Sequence, residues 1–262
     1  MQFFDRGGIV LHYQTVGGPE GKPTLVFINA LGSDFRIWRD VVIRMVGEYG
    51  CLNYDKRGHG LSSVGDTPYS LDDHASDLSA LLDHLGIKDA VLVGLSIGGM
   101  IAQLLASKRP DLVKALVLCD TAYKIGTEAL WNERIEAIQS HGMEKVADAV
   151  MDRWFTKTYR AENPADIAGY RNMVARMPQA GYIGTCAALR DGDLKEIAET
   201  LPIPVSCIVG DKDVSTPPAK VLELAKTIPG ARYDVIKGAG HIPCVEQAPM
   251  MADIIKEFVG GL

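Results

Sequence analysis

One serine in this chain sits where its hydroxyl could become a nucleophile. In Ala90-Val-Leu-Val-Gly94-Leu95-Ser96-Ile97-Gly98-Gly99-Met100, glycines stand two positions to either side of Ser96. An apolar run ends at Gly94 and a helical pattern opens near Ile97, so Ser96 falls on a sharp strand-to-helix turn. Such a turn holds the serine in a strained backbone conformation, and side chains at 94 and 98 would collide with the neighbouring strand and helix. The hydroxyl then stands above the sheet. The helix start supplies N–H groups and partial positive charge for an oxyanion.

A serine nucleophile needs a base and a group that orients the base. Val205–Gly210 reads as a strand running into Gly210-Asp211-Lys212-Asp213, and Ala231–Ile236 as another running into Gly238-Ala239-Gly240-His241. Each delivers a candidate at the carboxyl end of a strand, on the same sheet edge as Ser96. Asp213 would hold the imidazole of His241, which would take the serine proton and return it to the leaving group. Asp211 reads as a turn residue facing away. The second oxyanion donor is expected in Asn29-Ala30-Leu31-Gly32-Ser33, as the backbone N–H of Leu31 beside that of Ile97.

Other chemistries fit less well. Gly94-x-Ser96-x-x-Gly99 is a dinucleotide fingerprint lacking its middle glycine, with Asp120 near the place of a ribose-binding acid. A serine there obstructs the approach of pyrophosphate, and the turn follows a middle strand rather than the first. The cysteines at 51, 119, 186, 207 and 244 are spread out, odd in number and without C-x-x-C spacing, which predicts reduced core thiols of a cytosolic protein. His12, His74, His84 and His141 lie on strand or helix faces, and His59 in Asp55-Lys-Arg-Gly-His-Gly reads as structural. No metal-ligand spacing occurs, and no cofactor is implied.

The elements that must position these residues are legible too. Thr24–Asn29, Cys51–Asp55, Ala90–Gly94, Val113–Cys119 and Val205–Gly210 are predominantly apolar, without alternation, and suit strands buried on both faces of a parallel sheet. Val10–Val16 reads as an opening strand. Helical patterns lie between, one of them capped by Ser70 and Asp73 and ended by Gly86. The alternation predicts an α/β domain. It stops at Asp120. Thr127–His141, Met143–Phe155, Pro164–Met177 and Tyr182–Leu189 read as helices only, so residues 121–190 are expected to form a helical cap inserted into a core of 1–120 and 191–262. The insert carries 9 basic and 8 acidic residues and the remainder 18 and 25, a mild asymmetry that would tolerate an anion over the site. A net charge of −6 disfavours nucleic-acid binding. No apolar run approaches the ~20 residues of a membrane helix, and the first residues lack a signal-peptide core, so a cytoplasmic protein without a membrane partner is expected.

Tyr54-Asp55-Lys-Arg57-Gly58-His-Gly60, Gly94-Leu-Ser96-Ile-Gly98-Gly99, Gly210-Asp-Lys-Asp213 and Gly240-His241 resemble the α/β-hydrolase family over essentially the whole chain. That resemblance implies a mostly parallel sheet with helices on both faces. Cys119-Asp-Thr-Ala-Tyr-Lys-Ile-Gly126, Trp131-Asn-Glu-Arg134-Ile, Arg153-Trp154-Phe-Thr156 and Gly181-Tyr-Ile-Gly-Thr-Cys-Ala-Ala-Leu-Arg190-Asp resemble the 3-oxoadipate enol-lactonases of bacterial aromatic catabolism, as does Asn29-Ala-Leu-Gly32. The stretch from Gly240 to Glu246 is closer to general hydrolases. The resemblance implies hydrolysis of 3-oxoadipate enol-lactone to 3-oxoadipate in the β-ketoadipate pathway, through an acyl-enzyme on Ser96.

An anionic lactone calls for a cation in the pocket. Trp131 and Arg134 share a face of one helical segment. Arg134 is the expected carboxylate ligand, with Trp131 and Trp154 walling the pocket. Arg190 and Lys124 are rival cations, and Arg134 could instead pair with Glu133 or Glu136 in solvent. Serine at 96 excludes the dehalogenase and epoxide-hydrolase branches. A carboxylesterase, a C–C bond hydrolase and a non-catalytic ligand receptor remain alternatives.

Overall fold

The computed structural model describes residues 1–262. One sheet contains β1 (Gln2–Asp5), β2 (Val10–Val16), β3 (Thr24–Ile28), β4 (Gly50–Tyr54), β5 (Ala90–Leu95), β6 (Val113–Cys119), β7 (Val205–Gly210) and β8 (Arg232–Ile236). Their order is β1-β2-β4-β3-β5-β6-β7-β8. The β1–β2 and β2–β4 pairs are antiparallel and all others parallel. β3, β5, β6 and β7 are the predominantly apolar runs, and apart from the exposed Lys114 of β6 they are buried along nearly their whole length because helices cover both faces. β1 was not anticipated. It is a short, largely exposed edge strand whose pattern carries no core signal.

The crossover helices are α1 (Arg39–Met45), α2 (Leu71–Leu85) and α3 (Ile97–Lys108), with a 3₁₀ turn at Phe35–Trp38 before α1. Ser70 caps α2 in a reciprocal box with Asp73, and Gly86 ends it in a left-handed conformation. Between β6 and β7 come α4 (Glu128–Trp154), α5 (Lys157–Glu162), α6 (Pro164–Ala175), α7 (Gln179–Asp191) and α8 (Lys195–Thr200). The two helices expected on either side of Gly142 are continuous as α4 except for a break at that glycine, where φ is 75°. α4 packs on both α6 and α7. The chain closes with α9 (Pro218–Thr227), α10 (Pro243–Glu246) and α11 (Ala248–Gly260). No helix is long and apolar enough to cross a membrane.

Register decides where the loops emerge. Ile28 pairs with Gly94, Leu95 with Cys119, Cys119 with Ile208, and Gly210 with Ile236. The carboxyl ends of five parallel strands are therefore level, and the loops that follow them share one rim. Crevices at that edge are where open α/β sheets bind ligands.

Candidate active site

Ser96 is the residue between β5 and α3, with φ 58° and ψ −121°. Few L-residues adopt such a backbone, at a cost of ~1–3 kcal/mol. Its neighbours enforce it. The Ser96 N–H donates to the Cys119 carbonyl at 2.9 Å, and the Thr121 hydroxyl donates to the Ser96 carbonyl at 2.6 Å. A Cβ at position 94 would strike the Gly98 carbonyl, and one at 98 would strike the Ile28 carbonyl. The two glycines are thus steric requirements of the turn. Ile97 is the first residue of α3, so its N–H has no intrahelical acceptor. The Leu31 N–H donates to no protein acceptor either.

Asp213 and His241 meet across the ends of β7 and β8. His241 Nδ1 lies 2.8 Å from Asp213 Oδ2. The same carboxylate accepts from Ser215 N at 2.7 Å, Thr216 N at 3.2 Å and Thr216 Oγ1 at 2.6 Å. Burial pushes the Asp213 carboxyl upward, but the adjoining His241 and these donors outweigh it and hold it below its ordinary value. With Nδ1 engaged, Nε2 is the ring nitrogen left to take a proton. Ser96 and His241 line the same cavity, without a hydrogen bond between them. Such bonds are often long in ligand-free enzymes and tighten on binding.

That cavity is small, about 80 Å³. It is far below the ~300–1,000 Å³ typical of drug-sized ligand pockets, which suits a small acyl group. Its lining joins Ala30, Leu31, Ser96 and His241 of the rim to residues of α4 and α7, including Trp131, Arg134, Arg153, Trp154 and Tyr182. A larger cleft of about 690 Å³ lies between α6 and β2, and none of Ser96, Asp213 and His241 borders it.

The cations of the segment between β6 and β7 separate clearly. Lys124 pairs with Asp193 at 3.2 Å and Arg190 with Asp191 at 2.7 Å, and neither lines the cavity. Arg134 has no acidic partner. It donates to the Tyr182 hydroxyl at 3.1 Å and lies 5.9 Å from the Trp131 ring centre. Trp131 is fixed in turn by Nε1 donating to the Ile125 carbonyl at 2.7 Å. Arg153, at the rim, is also without an acidic partner, and its partial burial followed by the Arg134 charge pulls it below the usual arginine value. Sequence reading passed over Arg153 and Tyr182 as ligands because nothing in their spacing aims them at the sheet edge.

From sequence, Asp120 stands only as a candidate ribose ligand. It is fully buried, and its Oδ1 accepts from Gly210 N at 2.9 Å, so it faces the interior of the sheet edge. Burial and then the Asp213 charge hold its carboxyl well above the usual range. Asp120, Asp213 and His241 each offer a ligand atom within 4.8 Å of the others. Asp213 already spends its oxygens on four donors and His241 its Nδ1 on Asp213, so a cation there would have to break the pair. Glu246, unassigned in the sequence reading, ties the end of α4 to the histidine loop by accepting from Thr156 N and Gly240 N. The Trp154 carbonyl accepts the His241 N–H at 2.9 Å.

Residues 23–172 match the family model described as alpha/beta hydrolase fold. The 3-oxoadipate enol-lactonase 2 of Acinetobacter baylyi is 33% identical over 239 residues, 91% of this chain and 89% of that protein. The 3-oxoadipate enol-lactonase 1 of the same organism is 31% identical over 98% of this chain and 96% of its own. The crystal structure of the enol-lactonase from Burkholderia xenovorans LB400 superposes with a TM-score of 0.95 at 33% identity, covering 99% of this chain and 100% of that one.

Proposed function

The chain belongs to the α/β-hydrolase family and is an ester hydrolase, and from that membership we propose that it opens 3-oxoadipate enol-lactone to 3-oxoadipate through an acyl-enzyme on Ser96. One observation carries the choice of substrate. The cavity that Ser96 and His241 share is walled by Trp131 and Trp154, and it holds two guanidinium groups without acidic partners. A buried or rim cation left unpaired is a ready ligand for a carboxylate.

The steps follow from these residues. His241 Nε2 takes the Ser96 proton as Oγ attacks the lactone carbonyl. Asp213 holds the Nδ1–H and stabilises the imidazolium. The N–H groups of Leu31 and Ile97 receive the oxyanion. When the tetrahedral intermediate collapses, the ring C–O bond breaks and the enol oxygen leaves, protonated by His241. The enol then becomes a ketone while the acyl chain is still on Ser96. Water, deprotonated by His241, attacks the acyl carbonyl, and collapse returns the proton to Ser96 and frees the diacid. Arg134, with Arg153 at the rim, holds the carboxylate of the substrate throughout. No step calls for a cofactor.

A carboxylesterase for neutral esters would share the triad, and a receptor would share the cavity. Profiling wild type and Ser96→Ala on the carboxylated enol-lactone and on neutral esters separates the three. The proposal expects fast, Ser96-dependent turnover of the lactone and much slower turnover of neutral esters. Equal rates on both would favour a general esterase, and binding without turnover a receptor.

A further inference from the structure

Lys56 is unusual for a lysine: it is wholly buried, with no carboxylate within ion-pair distance. Its Nζ donates instead to two backbone carbonyls, Ala30 at 2.7 Å and Asn29 at 3.3 Å. His59 comes next in the same Asp55-Lys-Arg-Gly-His-Gly turn and is also wholly buried. Its Nδ1 lies 3.0 Å from the Arg57 carbonyl, which assigns the proton to that nitrogen. Its Nε2 then accepts the Gly32 N–H at 3.2 Å. Asp55, two residues before Arg57, accepts the Phe35 N–H at 2.9 Å. One turn after β4 therefore grips the loop after β3 at four backbone groups, and Leu31 lies in the middle of that grip.

The Ala30 carbonyl and the Leu31 N–H belong to a single planar peptide unit. A donor on the carbonyl fixes the tilt of the whole unit, and so the direction of the N–H. It also draws electron density toward the oxygen, which makes the N–H a stronger donor by hydrogen-bond cooperativity. Burial drives the Lys56 ammonium well below its usual value, with Asp55 and Asp34 opposing. The two N–H donors that the carbonyls use are present in either protonation state. Burying an amine in this way is costly unless its hydrogen bonds are made, and here both go to the loop that borders Ser96.

We propose that Lys56 and His59 are positioning residues for the oxyanion donor: Lys56 aims and polarises the Ala30–Leu31 peptide, while His59 anchors the next N–H so that the loop cannot rotate away. This rests on the reading of Ser96 as nucleophile and Leu31 N–H as oxyanion donor.

The test is Lys56→Met, which keeps length and loses the donor, assayed for kcat, KM and inhibition by a boronic acid. The boron accepts the serine oxygen and becomes tetrahedral, placing an oxygen in the hole. Removing an oxyanion donor outright costs about 10²–10³ in kcat, so misaiming one should cost roughly 10- to 100-fold. The boronate should weaken by a similar factor, while KM changes less than about threefold. His59→Leu should lower kcat about tenfold, and His59→Gln, which offers an acceptor where Nε2 stands, should restore most of that loss. If Lys56→Met does not fold, the His59 pair decides. A folded Lys56→Met with kcat and boronate affinity within about threefold of wild type overturns the proposal, as does equal loss in both His59 variants. A wild-type enzyme that fails to bind boronate at Ser96 would instead remove the underlying reading.

Discussion

Replacing Arg134 by alanine should separate recognition of the substrate's charge from hydrolysis itself. Arg134 is half-buried, holds no acid, and spends one N–H on the Tyr182 hydroxyl. A carboxylate brought to about 4 Å from it would gain about 4 kcal/mol at an effective dielectric of 20. Two corrections reduce this. The substrate must shed water from its carboxylate, and Arg153 stays in the variant to supply part of the field. A charge-assisted hydrogen bond in such settings is worth about 1.5–3 kcal/mol. The expected loss is therefore about 2–3 kcal/mol, or roughly 30- to 150-fold in kcat/KM for the carboxylated enol-lactone. Most of it should enter through KM, because the carboxylate takes no part in the bond changes and carries the same charge in ground and transition states. A neutral ester of similar size should lose no more than about threefold. Steady-state kinetics on both substrates, with thermal melts to verify folding, reads this directly. Arg134→Lys should fall between, since an ammonium keeps the charge but not the planar fork. A uniform loss on both substrates would refute the reasoning, because it would make Arg134 a packing residue.

Asp213→Asn should lower kcat by about 10³–10⁴ while leaving the fold intact, because the amide stabilises the wrong imidazole tautomer; near-wild-type turnover would disqualify Asp213 as the orienter. Gly98→Ala should drive a methyl into the Ile28 carbonyl. An overpacking cost of about 1–3 kcal/mol corresponds to a fall of roughly 3–10 °C in Tm for a chain of this size, and an unchanged melt would show the turn to be slack. Asp120→Asn should stabilise the protein at pH 8 and lose that advantage toward pH 4. The folded carboxyl is held well above its usual value of 3.8, so folding is accompanied by proton uptake between the unfolded and folded values, and the stability from this group is full below 3.8 and falls as pH rises through the folded value. The variant keeps an acceptor for Gly210 N–H and loses the linkage; a Tm difference independent of pH would contradict this.

The parts of the fold visible in sequence are those where local pattern and burial agree. β3, β5, β6 and β7 announce themselves because burial on both faces leaves mostly apolar positions, many of them β-branched. The turn at Ser96 is legible because two backbone collisions leave glycine no substitute at 94 and 98. β1 is not legible, since four residues on an exposed edge need no hydrophobic signature. The pairing of Asp213 with His241 could be anticipated from strand ends, whereas the burial of Asp120 depends on the β7 backbone beside it. Arg134 could be proposed from helical spacing, but its lack of an acidic partner, and the engagement of Lys124 and Arg190 elsewhere, arise from tertiary packing. Lys56 read as one letter of a turn motif. Its use in gripping the loop after β3 appears only when two segments far apart in the chain are brought side by side.

The claim on which the rest depends is that Ser96 Oγ becomes acylated. Acid-quenched turnover of the enol-lactone, followed by peptide mass spectrometry, addresses it most directly. Because the leaving oxygen stays tethered to the acyl chain, the adduct should carry the full mass of the lactone and map to the peptide holding Ser96. Ser96→Ala should give no adduct and less than about a thousandth of the wild-type rate. An adduct on another residue, or a Ser96→Ala variant that still turns over the lactone at a rate near wild type, would contradict the account.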